Sequence, residues 1–332
     1  MKKLLVLILG LLVGCGTELP TQPNPTAMLD ALMMPPTEAE IALVTSEFAQ
    51  QTYVCEDAGF EVIDTRPGQF ADFSLVAYHS EGLRLYGIVT QPKVAGTYRI
   101  LLYNHGGESG LTTTELDHPL AFAFVQVASS FRSESVLWFG ERFTSEGDPS
   151  TWDGDVKDAL VMLSCAESLT GADASRVVVF GGSRGGGVSL LAAIRMPGRF
   201  IQVVELFGPT DFFDPIFRDD LQAWLGGATD TRPGVTLLRQ EVVDPYLNGM
   251  LSLENARLAL LRRSALYFAE RLPPVQIHHG TVDDIVPITQ SDRLAARLAS
   301  LNSDSEYFQY EGKGHDPNLG DELLGRILAF LQ

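Results

Sequence analysis

The residues best suited to chemistry stand at a strand–helix junction. Val177 to Phe180 favour a strand, Gly181-Gly182-Ser183-Arg184-Gly185-Gly186-Gly187 follow, and GVSLLAAIRM reads as a helix. A phosphate-binding loop needs a lysine to meet the phosphate charge, and none lies here. A dinucleotide fingerprint needs G-x-G-x-x-G, a spacing these glycines cannot supply. What remains is Gly181-x-Ser183-x-Gly185, the pattern of a nucleophile elbow, in which glycines two before and two after the serine let a sharp turn form. The plainer alternative is a tight packing turn with an incidental serine.

A serine hydroxyl is a weak nucleophile without a base, so an elbow requires a histidine oriented by an acid. Both follow Ser183 at strand ends. The apolar strand VQIHH runs into Gly280-Thr281-Val282-Asp283-Asp284, and the final strand SEYFQYEG runs into Lys313-Gly314-His315. His315 follows the acid and is flanked by glycine, which makes it the candidate base; the alternative is a surface loop histidine. His79 and His118 have no chemical context, His278 and His279 read as structural residues at a strand end, and His105 opens a His-Gly-Gly turn. Acyl transfer also needs two N–H donors for an oxyanion. The backbone of Arg184 supplies one by position, and Asn104-His105-Gly106-Gly107, after an early strand, offers the other at Gly107.

These parts need a frame to carry them. DFSLVAYHS and LRLYGIVTQP form an antiparallel pair around Glu81-Gly82; YRILLYN, FAFVQVASS, RVVVFGG, IQVVELFG and PPVQIHHG read as strands. DVKDALVMLSCAESL, SDRLAARLASL and DELLGRILAFLQ read as helices. Alternating elements with continuous apolar strands imply an α/β protein with a mostly parallel sheet covered on both faces. Residues 209–274 carry helical pieces without a convincing strand, and such an insertion after a strand end is a lid candidate over the carboxyl edge, or an ordinary packing excursion.

Composition narrows the partners. With 332 residues, 45% hydrophobic and 20% charged, the chain can bury a sizeable core, and a net charge of −18 argues against non-specific nucleic-acid binding. MKKLLVLILGLLVGCG has the layout of a secretory signal rather than a membrane span, and Leu12-Val13-Gly14-Cys15 resembles a bacterial lipobox with Cys15 as the lipidated residue. Residues 1–14 are therefore expected to be a lipoprotein signal peptide, 15–45 a flexible Pro- and Thr-rich tether, and 46–332 the catalytic domain. The expected location is an exported, membrane-anchored one, the membrane being met through the lipid alone. Gly16, in place of an acidic residue, leans toward the outer membrane. In an oxidising compartment Cys55 and Cys165 have two outcomes open to them, a disulfide or two buried thiols.

The pieces YNHGGESG, GGSRGG, FGPTDF, RRSALYFAERLPPVQIHHGTVDDIVP and GKGH, in that order, resemble the α/β-hydrolases, and within them the catalytic domain of prolyl oligopeptidase-like serine peptidases. The resemblance implies the α/β-hydrolase fold, Ser183 as nucleophile, His315 as base, Asp283 rather than Asp284 as acid, and Gly107 and Arg184 as oxyanion donors. Larger members of that family carry a β-propeller ahead of this domain, and the roughly sixty residues before the first strands are too few for its blades. The implied activity is peptide-bond cleavage through an acyl enzyme, with no metal or organic cofactor; a carboxylesterase on the same fold is the alternative, and a non-catalytic binding lipoprotein a third reading. A peptidase would hold a substrate's charged terminus, for which Glu108, Glu205 and Arg262 are candidates. An esterase would line an acyl pocket, for which Phe212, Phe213 and Trp224 are candidates. The oligomeric state is not legible.

Overall fold

Three short apolar runs set the sheet. Ile100-Leu101-Leu102, Val177-Val178-Val179 and Val203-Val204 are fully buried, because alternate residues of a strand face opposite sides and both sides are covered. Ile100, Leu102, Val177, Val179 and Val203 enter the core on one face, and Leu101, Val178 and Val204 enter the core on the other. The computed structural model describes residues 24–56, 59–229 and 232–332, so the expected signal segment and Cys15 lie outside the described residues.

The strands are β1 (Glu61–Pro67), β2 (Ala71–Ser80), β3 (Leu83–Pro92), β4 (Tyr98–Asn104), β5 (Leu111–Thr112), β6 (Phe124–Ser129), β7 (Ser135–Trp138), β8 (Glu141–Thr144), β9 (Ala172–Gly182), β10 (Phe200–Leu206), β11 (Val275–Gly280) and β12 (Glu306–Tyr310). Nine of them form one sheet in the order β1-β2-β3-β6-β4-β9-β10-β11-β12, and β5, β7 and β8 form a small second sheet. Strands β1, β2 and β3 pair antiparallel, as does β3 with β6, and every pairing from β6 through β12 is parallel. This is the α/β architecture expected from the alternating text.

The helices are α1 (Pro25–Leu32), α2 (Glu38–Gln50), α3 (Gly154–Ala166), α4 (Arg184–Arg195), α5 (Pro215–Leu225), α6 (Pro233–Leu238), α7 (Asp244–Leu247), α8 (Leu253–Leu261), α9 (Thr289–Ser300) and α10 (Leu323–Phe330). Helices α3, α4 and α9 pack into the larger core, and α10 closes the other face through Ile327. Helices α5 to α8 fill the interval between β10 and β11 that was read as a helical insertion. Among the described residues no helix is long and apolar enough to cross a membrane.

The expectation of a tether through residue 45 is corrected from residue 25 onward. Thr37 caps α2 with a reciprocal capping box to Glu40, and Leu29, Leu32, Val44 and Phe48 are buried in the main core. Of the prolines that suggested a linker, Pro25 sits at the first turn of α1 and Pro35 and Pro36 lie between the helices, where proline is compatible with helix starts and stops. One arginine fastens the pair to the insertion. Arg257, on α8, donates to both carboxylate oxygens of Glu40 at 2.6 and 2.9 Å and to the carbonyls of Leu32 and Met34 at 3.0 and 2.8 Å. The hydrogen bond from Arg257 holds the Glu40 carboxyl down at about 2. Cys55 and Cys165 form a disulfide across 110 residues, which ties the segment after α2 to α3.

Arg257→Leu leaves the Glu40 carboxylate and several carbonyls without their donor, and is expected to cost about 3 kcal/mol. Chemical denaturation measures the loss, and limited proteolysis should open new cleavage between α1 and α2. A variant with wild-type stability and protease resistance would show that Arg257 does not dock these helices.

Candidate active site

Strand β9 ends at Gly182 and α4 begins at Arg184, which leaves Ser183 to make the whole change of direction at φ 54°, ψ −126°. A non-glycine residue in that region is strained by about 1–3 kcal/mol. The turn is so tight that a Cβ on Gly181 would lie 2.3 Å from the Gly185 carbonyl oxygen, and one on Gly185 would lie 2.0 Å from that of Asn104. Both glycines of the pattern are sterically required. The Ser183 N–H donates to the Leu206 carbonyl at 2.8 Å, anchoring the turn to the end of β10.

The loops after β11 and β12 bring the acid and the histidine to this serine. His315 Nε2 lies 2.8 Å from Ser183 Oγ, and His315 Nδ1 lies 2.8 Å from Asp283 Oδ2. The other oxygen of Asp283 accepts from the Ile285 and Val286 N–H groups at 2.9 and 2.8 Å. His279 adds a further constraint. Its Nε2 sits 2.8 Å from the Val286 carbonyl and 3.3 Å from Asp283 Oδ2. A carbonyl can only accept, so that nitrogen carries the proton and points it at both oxygens. Burial pushes the Asp283 carboxyl up, but the hydrogen bonds from His279 and His315 outweigh it and hold the group well below the usual carboxylate range. The neighbouring Asp284 is exposed, and its carbonyl receives Arg232. The serine–histidine–aspartate chain thus runs through Asp283.

Gly107 and the N-terminus of α4 flank Ser183 on the side of a pocket. Gly107 has φ +69°, a conformation that favours glycine, and the preceding Gly106 comes so close to the elbow that a Cβ there would be 3.0 Å from the Gly182 carbonyl. Gly107, Ser183 and Arg184 share the lining of a cavity of about 750 Å³, counting its open mouth. Its apolar walls include Trp152, Phe212, Phe217 and Val235. The arrangement can therefore bind an apolar group beside an activated hydroxyl, with helix-end N–H groups available for a developing negative charge.

Of the charged candidates, Glu108 lines the cavity and is exposed. Glu205 is instead fully buried, accepting from the Gly208 N–H at 2.8 Å, and Arg262 is paired with Glu47 at 2.7 Å. Of the aromatic candidates Phe212 lines the cavity, whereas Phe213 packs against Tyr267 and Trp224 lies under Arg239. The sequence reading missed Trp152. Its N–H donates to Asp155 at 2.7 Å, its indole N–H donates to the Arg184 carbonyl at 3.2 Å, and its ring packs on Phe212. The signal was an isolated tryptophan two residues before a helix, which periodicity does not single out.

The site sits in a recognisable lineage. The prolyl oligopeptidase family matches residues 136–332. Dipeptidyl peptidase family member 6 of Caenorhabditis elegans is 31% identical over 199 residues, 58% of this chain and 25% of that protein, so the chain spans about a quarter of that relative's length. Among solved structures, acetyl xylan esterase 1 from a Thermoanaerobacterium species superposes with a TM-score of 0.59 at 17% identity, over 92% of this chain and 96% of that one. Porphyromonas gingivalis dipeptidyl peptidase 4 gives a TM-score of 0.57 at 18% identity, over 79% of this chain and 35% of that one. A family match over more than half of the chain, joined to an α/β-hydrolase sheet carrying a serine at its elbow, makes this chain a serine hydrolase of the prolyl oligopeptidase family.

Proposed function

We propose that the protein is a serine peptidase that cleaves short peptides through an acyl enzyme. The observation that carries this reading is the unbroken hydrogen-bonded chain from Ser183 Oγ through His315 to Asp283, opening on an apolar pocket. In the first step Ser183 Oγ attacks the scissile carbonyl carbon while His315 Nε2 takes the hydroxyl proton, and Asp283 steadies the imidazolium from Nδ1. The carbonyl oxygen, now negative, accepts from the N–H groups of Gly107 and Arg184. As the tetrahedral species collapses, His315 gives its proton to the departing amine. Water then repeats the sequence on the ester and frees the acid and Ser183.

Glu108, at the mouth beside Gly107, meets the ammonium of a peptide's free N-terminus in this reading. The acyl side chain enters between Trp152 and Phe212. A carboxylesterase is the alternative, because the same triad attacks esters and acetyl xylan esterases share the fold along nearly their whole length. The MKKLLVLILGLLVGCG segment supports export and anchoring through Cys15 as part of the proposal. The wild-type protein should then incorporate a labelled fatty acid and Cys15→Ser should not, and an unlabelled wild type or a labelled variant would refute the anchor.

A fluorophosphonate probe should label the wild-type protein, and Ser183→Ala should abolish labelling. Asp283→Asn should lower kcat on short peptides by about 10³–10⁴-fold with little change in KM, since the imidazole loses its tautomer and its counter-charge. Hydrolysis of short acyl esters without any cleavage of peptide amides would replace the peptidase with the esterase.

Glu108→Gln should raise KM about fivefold for peptides with a free N-terminus and leave N-acetylated ones unchanged. Equal effects on both substrates would remove Glu108 from recognition.

A further inference from the structure

Beneath the oxyanion side of the site lies a buried polar cluster that the reaction scheme above leaves unused. His105 is fully buried, and its Nδ1 lies 3.0 Å from the Gly106 carbonyl oxygen, so Nδ1 carries a proton and donates it. That carbonyl belongs to the same planar peptide as the Gly107 N–H, and in a trans peptide the two point in opposite directions. Gripping the one aims the other. The next carbonyl, Gly107 O, accepts from Arg184 Nη1 at 3.0 Å, so the peptides on both sides of Gly107 are tied.

Beyond Gly106, the Ser130 carbonyl also faces the His105 imidazole and favours its charged form, but the bond of Nε2 is left incomplete. His105 Nε2 and Glu134 Oε2 are both buried without a hydrogen-bond partner, and they face each other at 3.7 Å. Two buried acceptors in opposition are unfavourable, and one proton placed between them makes a hydrogen bond once the 3.7 Å gap closes by about half an ångström. Every other contact fixes the pair. Glu134 Oε1 pairs with Arg184 Nη1, while Arg184 Nε and Nη2 hold Asp155 at 2.7 Å each. Phe131 stacks on the imidazole at 4.4 Å and lies under the Arg184 guanidinium.

We propose that Glu134 and His105 share one proton as a brace that positions the Gly107 N–H toward the oxyanion, making both of them positioning residues for catalysis. The proposal rests on the acyl-enzyme reading of the site. The charged groups facing the pair are Arg184, Asp155 and Glu108. Burial pushes the Glu134 carboxyl up to about 7 against the pull of Arg184, with Asp155 and Glu108 adding to the rise. Burial, with the Arg184 charge, pushes His105 down to about 4. The shared proton therefore resides on Glu134, which donates it to Nε2. The acid with the raised pKa is protonated below that value and loses its proton above it, so the brace is closed on the acid side and opens as pH rises.

The test is kcat/KM against pH for wild type and Glu134→Gln, whose amide N–H donates to His105 at every pH while its carbonyl still accepts from Arg184. Wild type should lose activity on the alkaline side with a midpoint near about 7, through kcat rather than KM, and Glu134→Gln should lack that fall. Glu134→Leu should lose about tenfold in kcat on the acid side, a part of what removing an oxyanion donor costs, and converge with wild type on the alkaline side where both lack the brace. An alkaline fall that persists in Glu134→Gln, or its absence from wild type, overturns the brace. Fluorophosphonate labelling keeps the two readings apart. A labelled wild type with an unaltered profile defeats the brace alone, whereas an unlabelled folded wild type defeats the acyl-enzyme reading and the brace with it.

Discussion

The backbone turn at Ser183 is the constraint on which the rest of the site depends. An L-residue at φ 54° is strained, and the strain persists because the surroundings over-determine it. The Ser183 N–H is bonded to the end of β10, Gly185 is pressed against the end of β4, and α4 is fully buried along its length. The same turn presents the first N–H groups of α4 where negative charge would develop. Because Gly185 abuts Asn104, the elbow also fixes the His-Gly-Gly turn that follows β4. Nucleophile and oxyanion loop are thus registered by one steric contact.

A second layer of buried charge holds these pieces in place. Arg184 is shared by Asp155, Glu134 and the Gly107 carbonyl, so the residue that offers its backbone N–H to the site uses its side chain to fix the opposite wall. The insertion is fastened in the same way. Glu241 accepts from the N–H and hydroxyl of Thr151, and Arg263 donates to both the Thr151 carbonyl and Glu241. Trp152 follows directly, so the pocket wall is set by residues 241 and 263 of the insertion. Buried pairs of this kind add little net stability, and their use here is geometric. In a chain of net charge −18, arginines are the scarce partner, and several of them are spent at this layer.

Much of this was legible in the sequence because the physics is local. The elbow follows from glycine spacing, and the parallel strands follow from continuous apolar runs. Asp283 and His315 were placed at strand ends, and the structure brings both to Ser183. What escaped the reading depends on distant partners. Residues 25–45 read as a tether because their weak apolar pattern is completed only by distant partners such as Arg257, more than two hundred residues on. Glu134 lies in FRSESVLW, whose neighbours in sequence give no sign of Arg184 or His105. Trp152 likewise acquires its role from tertiary contacts with Arg184 and Phe212. Of the aromatics read as an acyl pocket, Phe212 reaches it and Trp224 does not, since position along a helix does not tell which face meets the cavity.

The most direct measurement is a crystal structure of the protein with a peptide boronic acid. Boron should be bonded to Ser183 Oγ, with one boronate oxygen about 3 Å from the N–H groups of both Gly107 and Arg184 and His315 still joined to Asp283. Boron attached to another residue, or that oxygen turned away from both N–H groups, would contradict the account.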